Sequence, residues 1–391
     1  MSASALAHSE IATAVVGAAP AFLHVFPSFG IGGVPVRIAT ILNHFGARYR
    51  HVVVALDGDT SCSERLASTL DARLLAPGID KRRPLATLAR IRSILAATPH
   101  DLLLTYNWGS IEWALVNRFT TRRPHIHFES GFGSEEADGQ IGRRVLMRRH
   151  ALARSARIVV PSQVLLRLAL DVWRLDPRRV SYIPNGVDVA RFAAPPDPRA
   201  LPMPAVAPGE TVIGTLSPLR PEKNVARLLR AFARLPAGTS ARLVIVGDGS
   251  ERTALQSLAA ELGIGGRTVF AGYVAAPEKV IGLFDVFAMS SDTEQMPNTL
   301  LQAMAAARAV AATDVGDVRE MLAEDNRPFA VACDDAALAA AIAQLAADGA
   351  LRARLGAENQ ERVRTTYAFD AMCTAYGALF EASLQRAARR P

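Results

Sequence analysis

Apolar runs of five or six residues recur along the chain, and a stretch with helical spacing follows most of them. "AFLHVF" opens the series and leads through the turn "PSFGIGG" into "VPVRIATILNHF", where Val36, Ala39, Leu42 and Phe45 fall on one face of a helix. "HVVVALDGD", "DLLLTYN", "HIHFES" and "ARIVVPS" follow as further buried strands, with helical segments between them. A second series begins at "TVIGTLSPLRPEKNVARLLRAF" and continues through "ARLVIVGDGSERTALQSLAAEL", "TVFAGYV", "VFAMSS" and "AVAATDVGD". Strand–helix alternation of this kind predicts an α/β fold with parallel, doubly wound sheets. Between the two series, Asn185–Glu210 is dense in Pro and has no period, the composition of a linker. The pattern therefore predicts two domains, residues 21–195 and 196–371, with a last helix over about 372–391 packing back on the first. Residues 1–20 read as a loose tail rather than a secretion signal. Two such sheets make a cleft, and their carboxyl ends face it.

Composition narrows the picture. A chain of 391 residues holds two cores of ordinary size. No apolar stretch reaches the ~18 residues expected of a membrane span. Cys62, Cys333 and Cys373 form neither a metal spacing nor a disulfide framework, which predicts a cytoplasmic setting. Residues 1–200 carry 25 Lys+Arg against 16 Asp+Glu, whereas residues 201–391 carry 19 against 21. The positive excess thus sits in the first half and points to an anionic partner there. Aromatic residues make up only 6% of the chain and are not interleaved with basic ones, which argues against nucleic acid. The basic stretch 142–158, with Arg143, Arg144, Arg148, Arg149, Arg154 and Arg157, has apolar residues at roughly helical spacing. It predicts either a peripheral contact with anionic lipid or a helix packed on its own sheet with solvated arginines.

Candidate chemistry concentrates in "SSDTEQMPNTLLQAM" (290–304). Here a strand should run into a helix, with Pro297 in the first turn, where its missing N–H costs nothing. The backbone N–H groups of Met296, Pro297's neighbours Asn298 and Thr299, and Leu300 would then form an anion site at the cleft. Glu294 would lie at its rim and Gln302 inside the helix; the plain alternative is a capping Glu and a solvated Gln. Arg220 and Lys223, in the loop after the first strand of the second domain, are placed to clamp a diphosphate. In the first domain Gly32 and Gly33 permit close backbone approach to a phosphate or sugar. The loop is not a dinucleotide fingerprint, since Pro35 stands where a Gly is required, and no Gly-Lys-Ser/Thr makes it a P-loop. His125 and His127 read as ordinary strand histidines, and "LDGDT" (Asp57, Asp59) as a polar turn rather than a metal motif.

Taken together, "SPLRPEKNVARLLRAF", "LVIVGDGSERTAL", "VFAGYV", "SSDTEQMPNTLLQAMAAARAVAATDVGDVREML", "VVPSQ" and "IPNGVDVARF" resemble the retaining glycosyltransferases of glycosyltransferase family 4, from about residue 22 to 375. The resemblance implies the GT-B fold, two Rossmann-like domains facing across a cleft. It implies sugar transfer from a nucleotide-sugar, with retention and without a metal or other cofactor, to a glycan or lipid-linked acceptor. By this resemblance Glu294 holds the donor sugar's hydroxyls, position 302 the ribose, Arg220 and Lys223 the diphosphate, Gly32 and Gly33 the donor from the other side, and the backbone near Val274 the base. Two departures stand out. Gln302 replaces a second Glu, and Ser130, preceded by Glu129, replaces a His common in the family. Glu129 is a candidate for contact with the acceptor or with developing charge. An epimerase or hydrolase on the same fold, and a non-catalytic nucleotide-sugar binder, are the rival readings.

Overall fold

The computed structural model describes residues 19–79, 81–132, 136 and 139–388; most of the expected N-terminal tail lies outside them. Seven strands form the first sheet: β1 (Ala21–Phe26), β2 (Arg50–Ala55), β3 (Ala72–Leu75), β4 (Leu102–Tyr106), β5 (His125–Phe128), β6 (Arg157–Val160) and β7 (Val180–Tyr182). Six form the second: β8 (Thr211–Leu216), β9 (Ala241–Val246), β10 (Thr268–Gly272), β11 (Val286–Met289), β12 (Ala309–Thr313) and β13 (Ala330–Val331). Their orders are β3-β2-β1-β4-β5-β6-β7 and β10-β9-β8-β11-β12-β13, with every pairing parallel. Strands covered by helices on both faces carry near-continuous apolar runs, and all six residues of β1 are buried.

The helices of the first half are α1 (Gly33–Phe45), α2 (Pro84–Ala97), α3 (Ile111–Phe119), α4 (Gly142–Leu152), α5 (Gln163–Arg167) and α6 (Val189–Ala193). Those of the second are α7 (Val225–Ala233), α8 (Arg252–Glu261), α9 (Asn298–Ala305), α10 (Val318–Met321), α11 (Asp335–Ala347), α12 (Gly349–Thr366) and α13 (Phe369–Ala388). In each sheet the order reverses at one place, between β1 and β4 and between β8 and β11. Such a switch point leaves a crevice at the strands' carboxyl ends. The loops leaving β1, β8 and β11 there are those carrying Gly32 and Gly33, Arg220 and Lys223, and Glu294.

Two segments connect the domains, and they touch. Val187 N donates to Tyr367 O at 2.9 Å, and Phe369 N to Val187 O at 3.1 Å. At Gly186 a Cβ would stand 2.9 Å from the Ala368 carbonyl oxygen, so the crossing requires a glycine. Beyond it, α13 buries Met372, Cys373, Tyr376 and Phe380 among Phe22, Tyr49 and Phe128 of the first domain. The span expected to be featureless linker contains α6. Asp188 caps it by accepting from Arg191 N at 3.0 Å, and Phe192 buries its ring in the second domain's core.

The basic stretch 142–158 also departs from expectation. The helix ends at Leu152, and Ile158 belongs to β6. Arg148 faces neither water nor lipid: it is 0% exposed. Its guanidinium lies 2.9 Å from Glu136 Oε2 and 3.4 Å from Glu129 Oε2, with the Trp108, Phe132 and Trp173 rings about it at 4.9, 5.2 and 4.8 Å. Arg144 joins Glu136 at 3.2 Å, and Arg149 donates to Trp173 O at 3.1 Å. Helical spacing shows which positions share a face, but not that two distant carboxylates will meet an arginine there. Burial pushes the Glu136 carboxyl up, but Arg148 above all, with the Ile141 N–H and Arg144, outweighs it and holds the group below the ordinary carboxylate range.

Buried histidines predict a pH response. His24 lies between Tyr106 Oη (2.9 Å) and His51 Nδ1 (3.0 Å), and His125 between Thr105 Oγ1 (2.7 Å) and Ser155 Oγ (2.9 Å). Burial lowers His24, His100 and His125, and takes His51 down to about 4. These groups stay neutral in the fold while the unfolded chain protonates them below about pH 6.5, so the unfolded state binds more protons. Stability should hold at neutral pH and fall as pH drops from about 6.5 toward 4, by up to about 1.4 kcal/mol per pH unit for each histidine. Urea midpoints at about pH 7.5 and about pH 5 check this; equal midpoints would contradict it.

Candidate active site

Lys223 and Glu294 meet at the β8/β11 switch point, Nζ to Oε1 at 2.6 Å. Ser291 Oγ donates to the same carboxylate oxygen at 2.8 Å. The loops that bring them together are braced from behind. Asn224, in the left-handed region at φ 40°, ends the Arg220–Lys223 turn and caps α7 by accepting from Arg227 N. Arg227 in turn reaches Asp292 at 2.6 Å and Ser290 O at 2.8 Å. Thr313 Oγ1 donates to Ser291 O at 2.6 Å. Gly316, at φ +59°, lets the next loop approach so closely that a Cβ there would lie 2.2 Å from Glu294 O. Arg220 stands exposed at the edge of the same turn.

Helix α9 begins at Asn298, one residue later than expected, with Pro297 as its cap at φ −69°, ψ 121°. The N–H groups of Asn298, Thr299 and Leu300 are the unpaired donors of its first turn. The donor contacts expected of Leu300 and Met296 are through their backbone N–H groups, and both side chains turn elsewhere. Leu300 is fully buried in the second domain's core. Met296 is turned to the domain junction, where its Sδ accepts from Asn185 N at 3.1 Å and its carbonyl from Asn185 Nδ2 at 3.0 Å. Gln302 is half-buried, and its Oε1 is buried with no hydrogen-bond partner. An orphaned acceptor at that depth is unfavourable unless something donates to it.

The first domain closes the other side. Gly33 O accepts from Asn298 Nδ2 at 3.4 Å. Gly32 is exposed, and a Cβ on it would meet nothing nearer than Pro35 at 3.9 Å. Gly30 is the more constrained, since a Cβ there would lie 2.2 Å from Asp59 Oδ2. Val274 follows β10 half-buried, beside Tyr273, whose hydroxyl accepts from Arg65 of the first domain at 3.0 Å.

Sequence reasoning missed several residues. Arg37, largely buried in α1, donates to Ser130 Oγ at 2.9 Å and to Asn185, so three segments converge on one guanidinium. Asp317 is 3% exposed and joins the domains: its carboxylate accepts from Gln163 N at 2.5 Å and Val164 N at 3.1 Å. Its own N–H donates to Gln295 O at 3.0 Å, next to Glu294. Burial pushes the Asp317 carboxyl above the usual range against the pull of those two amides. The motifs "VVPSQ" and "IPNGVDVARF" flagged these segments but not their contacts. Glu129 also needs correcting: its carboxylate is fully buried, with Oε2 at Arg148 and 3.7 Å from His127 Nε2, and presents no surface to an acceptor. An adjacent buried arginine drew it inward.

Two family models match the chain, "Glycosyltransferase Family 4" over residues 31–191 and "Glycosyl transferases group 1" over residues 203–362. The chain belongs to these glycosyltransferases, of GT-B fold. It is similar to the lipopolysaccharide core biosynthesis glycosyltransferase LpsE of Rhizobium meliloti, at 32% identity over 51% of this chain and 57% of that one. LpsD of the same organism matches over 46% of its length, so the chain spans about half of each of these two relatives. A D-inositol 3-phosphate glycosyltransferase of Acidothermus cellulolyticus is 26% identical over 83% of this chain and 80% of its own. Among solved structures, Anabaena HepE in complex with UDP-glucose superposes with a TM-score of 0.77 at 17% identity, covering 93% of this chain and all of that one. WaaG, a glycosyltransferase involved in lipopolysaccharide biosynthesis, gives 0.67 at 17%, covering 92% and 99%. At these identities the superpositions establish the fold.

Proposed function

We propose that the chain transfers a sugar from a nucleotide-sugar donor to a glycan or lipid-linked acceptor, with retention at the anomeric carbon, in assembling a cell-surface polysaccharide from the cytoplasmic face of a membrane. The observation that carries this reading is the Lys223–Glu294 pair at the switch point, with exposed Arg220 on the turn that carries Lys223, and the α9 helix after Glu294 bringing free first-turn N–H groups and a buried, unpartnered Gln302 Oε1. A nucleotide-sugar offers complements to such groups: hydroxyls for the carboxylate, a diphosphate for the cations and N–H groups, and a ribose hydroxyl for the unpartnered acceptor. The relatives named for lipopolysaccharide core biosynthesis and the neighbour holding UDP-glucose support the substrate class.

In this mechanism the diphosphate competes with Glu294 for Lys223, and the carboxylate released turns to the sugar hydroxyls. The incoming hydroxyl attacks C1 from the face the diphosphate leaves. The C1–O bond to the diphosphate breaks, and a diphosphate oxygen takes the hydroxyl's proton. The cations and N–H groups carry the growing charge, so the reading calls for no metal.

Gln302 supplies a test. Gln302→Ala should loosen donor binding by about tenfold, and Gln302→Glu should keep or tighten it. Titration of each protein with UDP- and GDP-sugars by calorimetry checks this; equal affinity in all three would remove position 302 from the nucleotide site. Assay of a nucleotide-sugar panel, with and without glycan and lipid-linked acceptors, tests the reading as a whole. Acceptor-dependent release of nucleoside diphosphate is expected. Release that ignores the acceptor marks a hydrolase, and binding without turnover marks a binder.

A further inference from the structure

A hydrogen-bonded series that the sugar-transfer reading does not use runs across the first domain to the loop that carries Glu294. It starts at Asn107, directly after β4, whose backbone stands at φ 56°, ψ 177°. That conformation is costly for a residue with a Cβ and persists only where the surroundings fix it. Here Asn107 Oδ1 accepts from Ser130 N at 2.8 Å. Ser130 Oγ accepts from Arg37 Nη2 at 2.9 Å, and Arg37 Nη1 donates to Asn185 Oδ1. Asn185 Nδ2 donates in turn to Met296 O at 3.0 Å, two residues from Glu294. The series thus joins the loops after β4 and β5, helix α1 and the segment after β7 to the loop after β11. Beside Ser130, a Cβ on Gly131 would stand 3.5 Å from Gln295 Cγ, so the two loops border each other.

Arg37 and Asn185 are 8% and 4% exposed. A guanidinium and an amide so deeply buried are unfavourable unless their hydrogen bonds are made. Among the described residues no carboxylate pairs with Arg37; its cation faces a hydroxyl and the Asn185 amide oxygen instead. An amide whose oxygen accepts from a cation donates more strongly through its nitrogen. The neighbouring carbonyl, Gln295 O, is held from within the second domain by Asp317 N at 3.0 Å. Met296 O is held from the first. We infer that Arg37 and Asn185 are positioning residues, which set the Glu294 loop from the first domain so that its carboxylate is aimed at the donor sugar only while the domains are engaged. The inference rests on the sugar-transfer reading for what Glu294 does, and on the hydrogen bonds alone for how its loop is held.

Asn185→Asp separates positioning from packing. It keeps the size of the side chain and its contact with Arg37, now an ion pair, but replaces the donor to Met296 O with an acceptor. In the full chain, kcat should fall by about 10- to 100-fold, the scale of a small misplacement at the reacting centre. Donor KM, calorimetric UDP or GDP affinity and melting temperature should stay near the parent's. Arg37→Met should show the same split. Arg37→Met combined with Asn185→Asp leaves a buried carboxylate without its cation and should melt well below either single variant. Amide hydrogen exchange over residues 290–304, read by mass spectrometry, should quicken in Asn185→Asp, and needs no activity assay. Unchanged exchange there, or a kcat like the parent's, would overturn the inference. So would nucleotide affinity falling in proportion to kcat, or Asn185→Asp melting as low as the double variant, since either marks a merely structural pair. If exchange responds as expected but the parent chain transfers no sugar, the transfer reading fails and the positioning of the loop stands.

Discussion

Glu294→Ala is expected to lower turnover by about a hundredfold or more while nucleoside diphosphate still binds. The carboxylate is the acceptor for the donor sugar's hydroxyls in this account, and its place is set by the Ser290–Asp292 brace and the close approach of Gly316. Truncation removes the group that orients C1 toward the acceptor, a contact of the kind whose loss costs 10²–10³ in rate. It also frees Lys223, which stays available to the diphosphate. The expected pattern is therefore a large fall in turnover with calorimetric UDP or GDP affinity held within a few-fold. Turnover like that of the unaltered chain would remove Glu294 from the reaction, and loss of nucleotide affinity in proportion to rate would make it a binding residue only.

Arg148→Met is expected to produce the largest loss of stability. The substitution leaves buried Glu129 without its arginine and Glu136 with Arg144 alone, in a site lined by Trp108, Phe132 and Trp173. Removing one partner of a buried ion pair costs roughly 3–5 kcal/mol, because the charge left behind stays desolvated. Adding Glu129→Gln and Glu136→Gln to Arg148→Met should restore much of that loss, since neutral groups carry no such penalty. Urea denaturation followed by tryptophan fluorescence reads both, Trp108 and Trp173 being in the cluster. A single variant as stable as the parent, or a triple variant no better than the single, would contradict this description of the cluster.

What the sequence revealed and what it hid follow from the range of the interactions. Long buried strands such as β1 and β9 announce themselves because all but one residue of each, His24 and Arg242, is apolar. The edge strands β3, β7 and β13 do not: Ala72–Leu75 and Val180–Tyr182 are half-exposed and short, and pairing rather than composition makes them strands. The site loops were legible because a switch point places β1, β8 and β11 loop residues together by topology alone. Contacts that depend on which distant segment arrives were not. Nothing near Arg148 in sequence foretells Glu129 as its partner, and nothing near Asp317 foretells the α5 amides. Met296 shares the loop with Glu294 and Leu300 lies in the first turn of α9, but side-chain direction turns one to the domain junction and the other to the core.

The most direct test of the account is the stereochemistry of the product. The chain should be given an α-linked nucleotide-sugar that it turns over, and the new glycosidic bond read by proton NMR through the coupling at the anomeric centre. Front-face substitution at the Glu294–Lys223 site predicts an α-linked product. A β-linked product would contradict the mechanism, and free sugar without a glycoside would contradict transfer itself.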